Sequence, residues 1–400
     1  MNQCIFDVYS LKIRNKMRFF IVILALLLSL FGFSQENGKA VPSTNSQQYN
    51  NNAVAPTEEL REKAEKESIP QKKMDVKDSY STQSAVQQST VQFEQYETQS
   101  TYMRSQRTPS TVQQQQMDDA VKQLEKTDPN SFEYNFFKYI SGNYNTDWFK
   151  YLKQAEKIRS TNSDVQTQMA AYYLITGEDK TALSYIEQLV KSGRLSSDPI
   201  TYAHDLLKSA PLNGVLLTHG FDDTYSVHYL QLKQGMRKDV ELISLDYLQS
   251  ETYRKALLNK GFKLPGSKVI DVNFVNEFCK LNEAKSISIS MTTPKEYLLP
   301  MKEQLYVVGL TFEYHSREFN NYYANDYLWQ KELNKKLINH AQSSKSKDLS
   351  ANYLPMLLLL RTSYSATKET TQLKEVNEAL DKVAVQCNKY QQVQKLKKSY

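Results

Sequence analysis

Between residues 212 and 291, short apolar runs alternate with helical stretches, and this alternation restricts the fold more than any other feature of the chain. Residues 212–219 (LNGVLLTH), 239–245 (DVELISL), 268–272 (KVIDV) and 286–291 (SISISM) read as buried strands. Between them a helical run at 225–234 stops at Gly235, a second at 252–260 stops at Gly261, and an apolar helix lies around 274–281. Strand–helix–strand spacing of this length calls for a parallel sheet with right-handed crossovers. Residues 306–314 (YVVGLTFEY) add a strand, antiparallel or at an edge. The expectation is an α/β fold, a small three-layer parallel-sheet domain over 211–316.

Helical units flank it. Residues 165–176 (VQTQMAAYYLIT) and 181–191 have apolar residues at helical spacing on either side of a Gly177-Glu178-Asp179 turn. An aromatic stretch at 132–140 and a run at 148–158 form a similar pair around Gly142. The separation of Gly142 and Gly177 approaches the 34-residue tetratricopeptide period, and AAYYLITGEDKTALSYIEQL resembles one such repeat. These tetratricopeptide-like hairpins are assigned to 118–210, with order beginning near Asp118. Residues 317–400 are read as C-terminal helices: a rough stripe at 320–341, a helix apolar nearly all round at 353–364, and a one-sided helix at 371–386.

The first third of the chain has another character. Residues 35–117 hold 15 Gln in 83 residues, and their apolar residues follow no period. Such a segment cannot bury enough surface to offset ordering entropy, so it reads as a disordered linker, with a charged stretch at 57–67 as its one helix-forming piece. Residues 19–33 (FFIVILALLLSLFGF) follow four basic residues and precede Ser34, the layout of a secretory signal peptide over 1–34. Met17 gives an alternative start with normal signal-peptide proportions. The run is shorter than the ~20 residues of a spanning helix, so cleavage is preferred to an uncleaved anchor. An exported, periplasmic chain with no membrane span after cleavage is expected.

A net charge of +6, from 50 basic and 44 acidic residues, does not suit nucleic-acid binding. Three cysteines exclude a disulfide framework and a cysteine-rich zinc module; Cys279 and Cys387 read as small buried hydrophobes, with pairing left open. No GxSxG, P-loop, GxGxxG or HExxH motif is present.

In open α/β sheets ligands collect at the carboxyl ends of strands. There the first strand is followed by His219, Gly220, Phe221, Asp222, Asp223 and Thr224, with His228 about one turn on. This set can bind a small molecule or a divalent cation, or act in acid/base chemistry. It can equally be structural, with Asp223 or Thr224 as N-cap and Asp222 complementing the helix dipole.

Residues 214–248, with Thr218, His219, Gly220, Asp223, Thr224, Tyr225, Tyr229, Gln231, Arg237, Asp239 and Val240 at the matching positions, resemble the soluble C-terminal region of large bacterial membrane proteins. Those multispanning proteins, common in Bacteroidota, are similar to protein O-mannosyltransferases. SISISMTTPKEYL and LYVVGLTFEY extend the likeness to about 212–314. Phe221 stands where that family has an acidic residue, and the membrane part that would carry transferase chemistry has no counterpart. The resemblance implies a shared soluble module without glycosyl transfer. The expectation is therefore a non-catalytic envelope scaffold or binding protein with an envelope protein partner and no cofactor. The alternative is a small-molecule, glycan or metal-binding module using the His219–Thr224 segment, and after it a hydrolase or transferase.

Overall fold

The computed structural model describes residues 86–87, 89–91 and 106–399. The leader at 1–34, the stretch at 57–67 and most of the expected linker lie outside them. The first long helix, α1 (Thr111–Thr127), begins ahead of Asp118. A capping box explains the difference: the Ser110 hydroxyl accepts from the Gln113 N–H, and the Gln113 side chain accepts from the Ser110 N–H. The glutamine tract at 113–116 is thus helical, and Gln113 and Met117 are buried.

Two helical hairpins follow, α2 (Phe132–Ile140) with α3 (Phe149–Ile158), and α4 (Ser163–Thr176) with α5 (Asp179–Lys191). Gly177, at φ 78°, turns the second. These helices also bury surface within the chain. α5 packs on α7 and α4 on α8, the helices after the first two strands, and the Tyr225 hydroxyl donates to the Thr167 carbonyl. Helix α6 (Ser197–Ser209) leads into the sheet.

The sheet has five strands in the order β2-β1-β3-β5-β4. Strands β1 (Val215–Thr218), β2 (Glu241–Ser244) and β3 (Ile287–Ser290) are parallel, joined through α7 (Gly220–Gln234), α8 (Glu251–Asn259) and α9 (Val272–Leu281). After β3 comes a short α10 (Lys295–Leu298) and then an antiparallel hairpin, β4 (Leu305–Val308) and β5 (Thr311–Tyr314), which lays β5 against β3. The sheet is therefore mixed, and YVVGLTFEY is parts of two strands bent at Gly309, φ 56°. Residues 268–272 are not a sheet strand. Asp271 instead caps α9 by accepting from the Phe274 N–H, and pairs with Gln106 in an isolated bridge.

Pleating divides the sheet between two cores. Val215, Leu217, Ile243, Ile287, Ile289 and Phe312 face α4, α5, α8 and α9. Leu216, Leu242 and Val308 face α6 and the C-terminal helices. The latter begin with α11 (Tyr322–Tyr327), α12 (Lys336–His340) and α13 (Ser344–Ser350). The expected stripe at 320–341 is broken because the Asp205 carboxylate accepts from the Asn334 and Lys335 N–H groups, at 2.9 and 3.2 Å. A hairpin of α14 (Leu354–Thr367) and α15 (Thr370–Gln386), then α16 (Tyr390–Ser399), complete the chain. Cys279 is buried, Cys387 half-buried, and both are free. No helix among the described residues is long and apolar enough to cross a membrane.

Candidate functional site

The β1–α7 junction is tighter than the sequence suggests. Helix α7 starts at Gly220, so Phe221–Thr224 form its first turn and not a loop. Its N-cap is His219, which makes no side-chain cap bond; neither Asp223 nor Thr224 is the cap. Gly220 has φ +72°, where a side chain would be strained, and its N–H donates to Asp246 Oδ2 at 2.8 Å. Asp246, two residues past β2, thus satisfies the helix end that a cap would otherwise serve.

Three strand ends meet here. Strand β1 connects towards β2 and β3 towards the β4–β5 hairpin, so the β1–β3 boundary is a topological switch point. Asp223, from α7, is buried and accepts from the Thr292 hydroxyl just past β3. Thr292 also shares a hydrogen bond with Ser290, at 2.9 Å. Burial pushes the Asp223 carboxyl up to about 6, the Ser290 and Thr292 hydroxyls opposing and the Asp222 charge adding to the rise. The buried Tyr202 of α6 is neighbour to Asp223 and Ser290, and burial raises its phenol well above the usual value. A second hydroxyl chain runs from Thr218 to Thr224, 3.1 Å, and on to Ser244, 3.3 Å. Asp222 Oδ2 pairs with Lys345 of α13 at 2.8 Å, while its Oδ1 is buried without a hydrogen-bond partner.

Arg107, from the segment before α1, is a participant that sequence reasoning missed. Its guanidinium lies against the His219 ring, 3.0 Å from Nε2, its Nε is 3.4 Å from Asp246 Oδ1, and it sits over the Tyr297 ring. Burial, with Arg107 adding its charge, lowers His219 to about 3 and keeps it neutral. His228 is not part of this group. Burial lowers it to about 4, and the cation that adds to the effect is Lys260, which pairs with Glu241 of β2 at 2.6 Å.

Twelve buried side-chain polar atoms among the described residues lack a hydrogen-bond partner, and half lie on the segments just past β1, β2 and β3. They belong to Asp222, to Tyr247 and Gln249, and to Thr293, Glu296 and Tyr297. Native proteins leave few such groups unpaired, so their concentration at one end of a sheet is informative. Asp222 Oδ1, Gln249 Oε1 and Glu296 Oε2 can only accept in their ordinary states, so whatever pairs with them, ordered water or a ligand, brings donors. No cluster of three or more His, Cys, Asp or Glu able to hold a metal ion occurs among the described residues.

The conspicuous sequence motif thus divides into two parts. Asp223 and Thr224 serve the strand ends, whereas Gln231, Arg237 and Asp239 brace the turn into β2. Gln231 Nε2 donates to the Arg237 and Val240 carbonyls, both at 2.8 Å. Arg237 forks onto Asp239, with both bonds 2.9 Å, and donates to the Leu207, Ala210 and Pro211 carbonyls. No curated protein and no solved structure matches the chain. Residues 200–397, which run from α6 through the sheet to α16, match the family model of TMEM260-associated domain 2.

Proposed function

We propose that this is an exported, non-catalytic binding protein of the cell envelope, and that it holds a hydroxyl-rich ligand of the glycan class at the carboxyl ends of β1–β3. The observation carrying this reading is the set of unpartnered buried acceptors, Asp222 Oδ1, Gln249 Oε1 and Glu296 Oε2, one on each of the segments that follow β1, β2 and β3. A sugar supplies many hydroxyl donors in a small volume, which matches a set made up mostly of acceptors. A divalent cation is disfavoured, because the acidic groups have separate partners: Asp222 has Lys345, Asp223 has Thr292, and Asp246 has Gly220 and Arg107. A scaffold role for the tetratricopeptide-like hairpins is weaker, since α4 and α5 spend surface on α7 and α8. The resemblance to the soluble region of O-mannosyltransferase-like membrane proteins agrees with a carbohydrate setting, and the apolar run at 19–33 with export.

The test is saturation-transfer NMR of the folded protein with a panel of free sugars, repeated on Thr293→Val and Glu296→Gln. Transfer to at least one sugar, weakened in both variants while their melting temperatures hold, is expected. Transfer unchanged in both variants would exclude the crevice as the site.

A further inference from the structure

We infer that residues 106–108 are a strap across the carboxyl ends of β1–β3, the crevice of the binding reading, and that Arg107 is an internal competitor which a ligand must displace. The inference rests on the binding reading above and names its regulation.

A backbone bridge and one side-chain bond pin the strap to the segment before α9. Gln106 bridges Asp271, the Arg107 N–H donates to the Ile270 carbonyl at 2.6 Å, and the Ile270 N–H donates to Thr108 Oγ1 at 2.9 Å. This attachment is one rung wide, whereas β1 pairs with strands on both sides. A contact of so few bonds opens at far lower free energy than the core.

The side chain reaches farther than the backbone. Arg107 is 8% exposed and touches groups past all three parallel strands: His219 after β1, Asp246 after β2 and Tyr297 after β3. It therefore occupies the same strand ends whose following segments carry the unpaired acceptors. Its fit is incomplete, because Nε is buried without a hydrogen bond and Asp246 stands 3.4 Å away. A buried cation with an unsatisfied donor carries a desolvation cost that good geometry does not repay here. Withdrawing Arg107 hydrates it, frees Asp246 Oδ1 and His219 for a ligand's hydroxyl groups, and uncovers the Tyr297 ring.

The experiment compares the full chain with Arg107→Ala and Thr108→Val, using methyl α-mannoside, methyl β-glucoside and myo-inositol as probes in calorimetric titrations. Removing an internal competitor raises apparent affinity by the reciprocal of the fraction of molecules that had been open, so a strap open in about a tenth of them or fewer gives about tenfold or more for Arg107→Ala. Thr108→Val, which keeps the cation but loses one anchoring bond, should fall between. Added probe should also speed amide exchange at Arg107 and Ile270 in the unmodified chain. Equal affinity in all three proteins, or unchanged exchange on binding, would overturn the strap while leaving the crevice as a site. Binding by none of them would overturn the crevice reading, and the strap with it.

Discussion

The Thr292 hydroxyl donates to the Asp223 carboxylate, and so ties the segment two residues past β3 to the first turn of the helix that follows β1. One contact thus spans the switch point of the sheet. It holds a buried acid beside Asp222 and Tyr202 on the side of the sheet that faces α6.

Asp223 should make the protein less stable as pH rises. Its folded value, about 6, lies above the ordinary 3.8, so the folded state holds the proton more tightly. The stabilisation is complete below about pH 4 and is lost as pH passes 6, with an upper bound of roughly 3 kcal/mol. Asp223→Asn, which mimics the protonated form, should remove that slope in urea titrations between pH 4 and 7.5. A slope retained in the variant would show that Asp223 is not its source.

His219 and His228 act in the opposite sense. Their folded values, about 3 and about 4, lie below the ordinary 6.5, so they favour folding above pH 6.5 and cease to as pH falls through those values. His228→Gln should soften acid unfolding between pH 6 and 4 without touching the crevice. Its melting temperature at pH 4.5, relative to that at pH 7.5, should rise above the unmodified protein's.

Arg237→Lys should be markedly destabilising although it keeps the charge. Lysine can reproduce neither the fork on Asp239 nor the simultaneous bonds to the Leu207, Ala210 and Pro211 carbonyls. A loss of about 1–3 kcal/mol is expected in urea unfolding, in the range for losing charge-assisted hydrogen bonds at a partly buried site. A change below about 0.5 kcal/mol, as at an ordinary surface site, would contradict this role.

Asp205→Ala should cost about 3 kcal/mol for a related reason. The fully buried carboxylate accepts from the Tyr353 hydroxyl at 2.7 Å and from the Asn334 and Lys335 N–H groups, holding α6 to the C-terminal helices. Loss of amide protection at Asn334 and Lys335 in Asp205→Ala would verify the connection.

Strands β1, β2 and β3 are legible because each is a compact apolar run bounded by turn residues. Residues 268–272 carry the same local pattern, but Asp271 answers to α9 and Ile270 to the strap, and neither obligation shows in a hydropathy window. The β4–β5 bend is obscured because one central glycine, Gly309, separates two runs that read as one. At the site, Asp222, Asp223 and Thr224 could be singled out by position after β1. Arg107 could not, since it lies 112 residues from His219 in a polar stretch without periodicity. The N-cap assignment failed because Asp246, from another strand end, serves the helix terminus in place of a local side chain.

Glycan-array binding of the unmodified protein beside Glu296→Gln and Arg107→Ala tests the central claim most directly. A defined set of glycans bound by the unmodified chain, weakened by Glu296→Gln and strengthened by Arg107→Ala, is expected. Signals identical across all three proteins, or no signal from any, would contradict it.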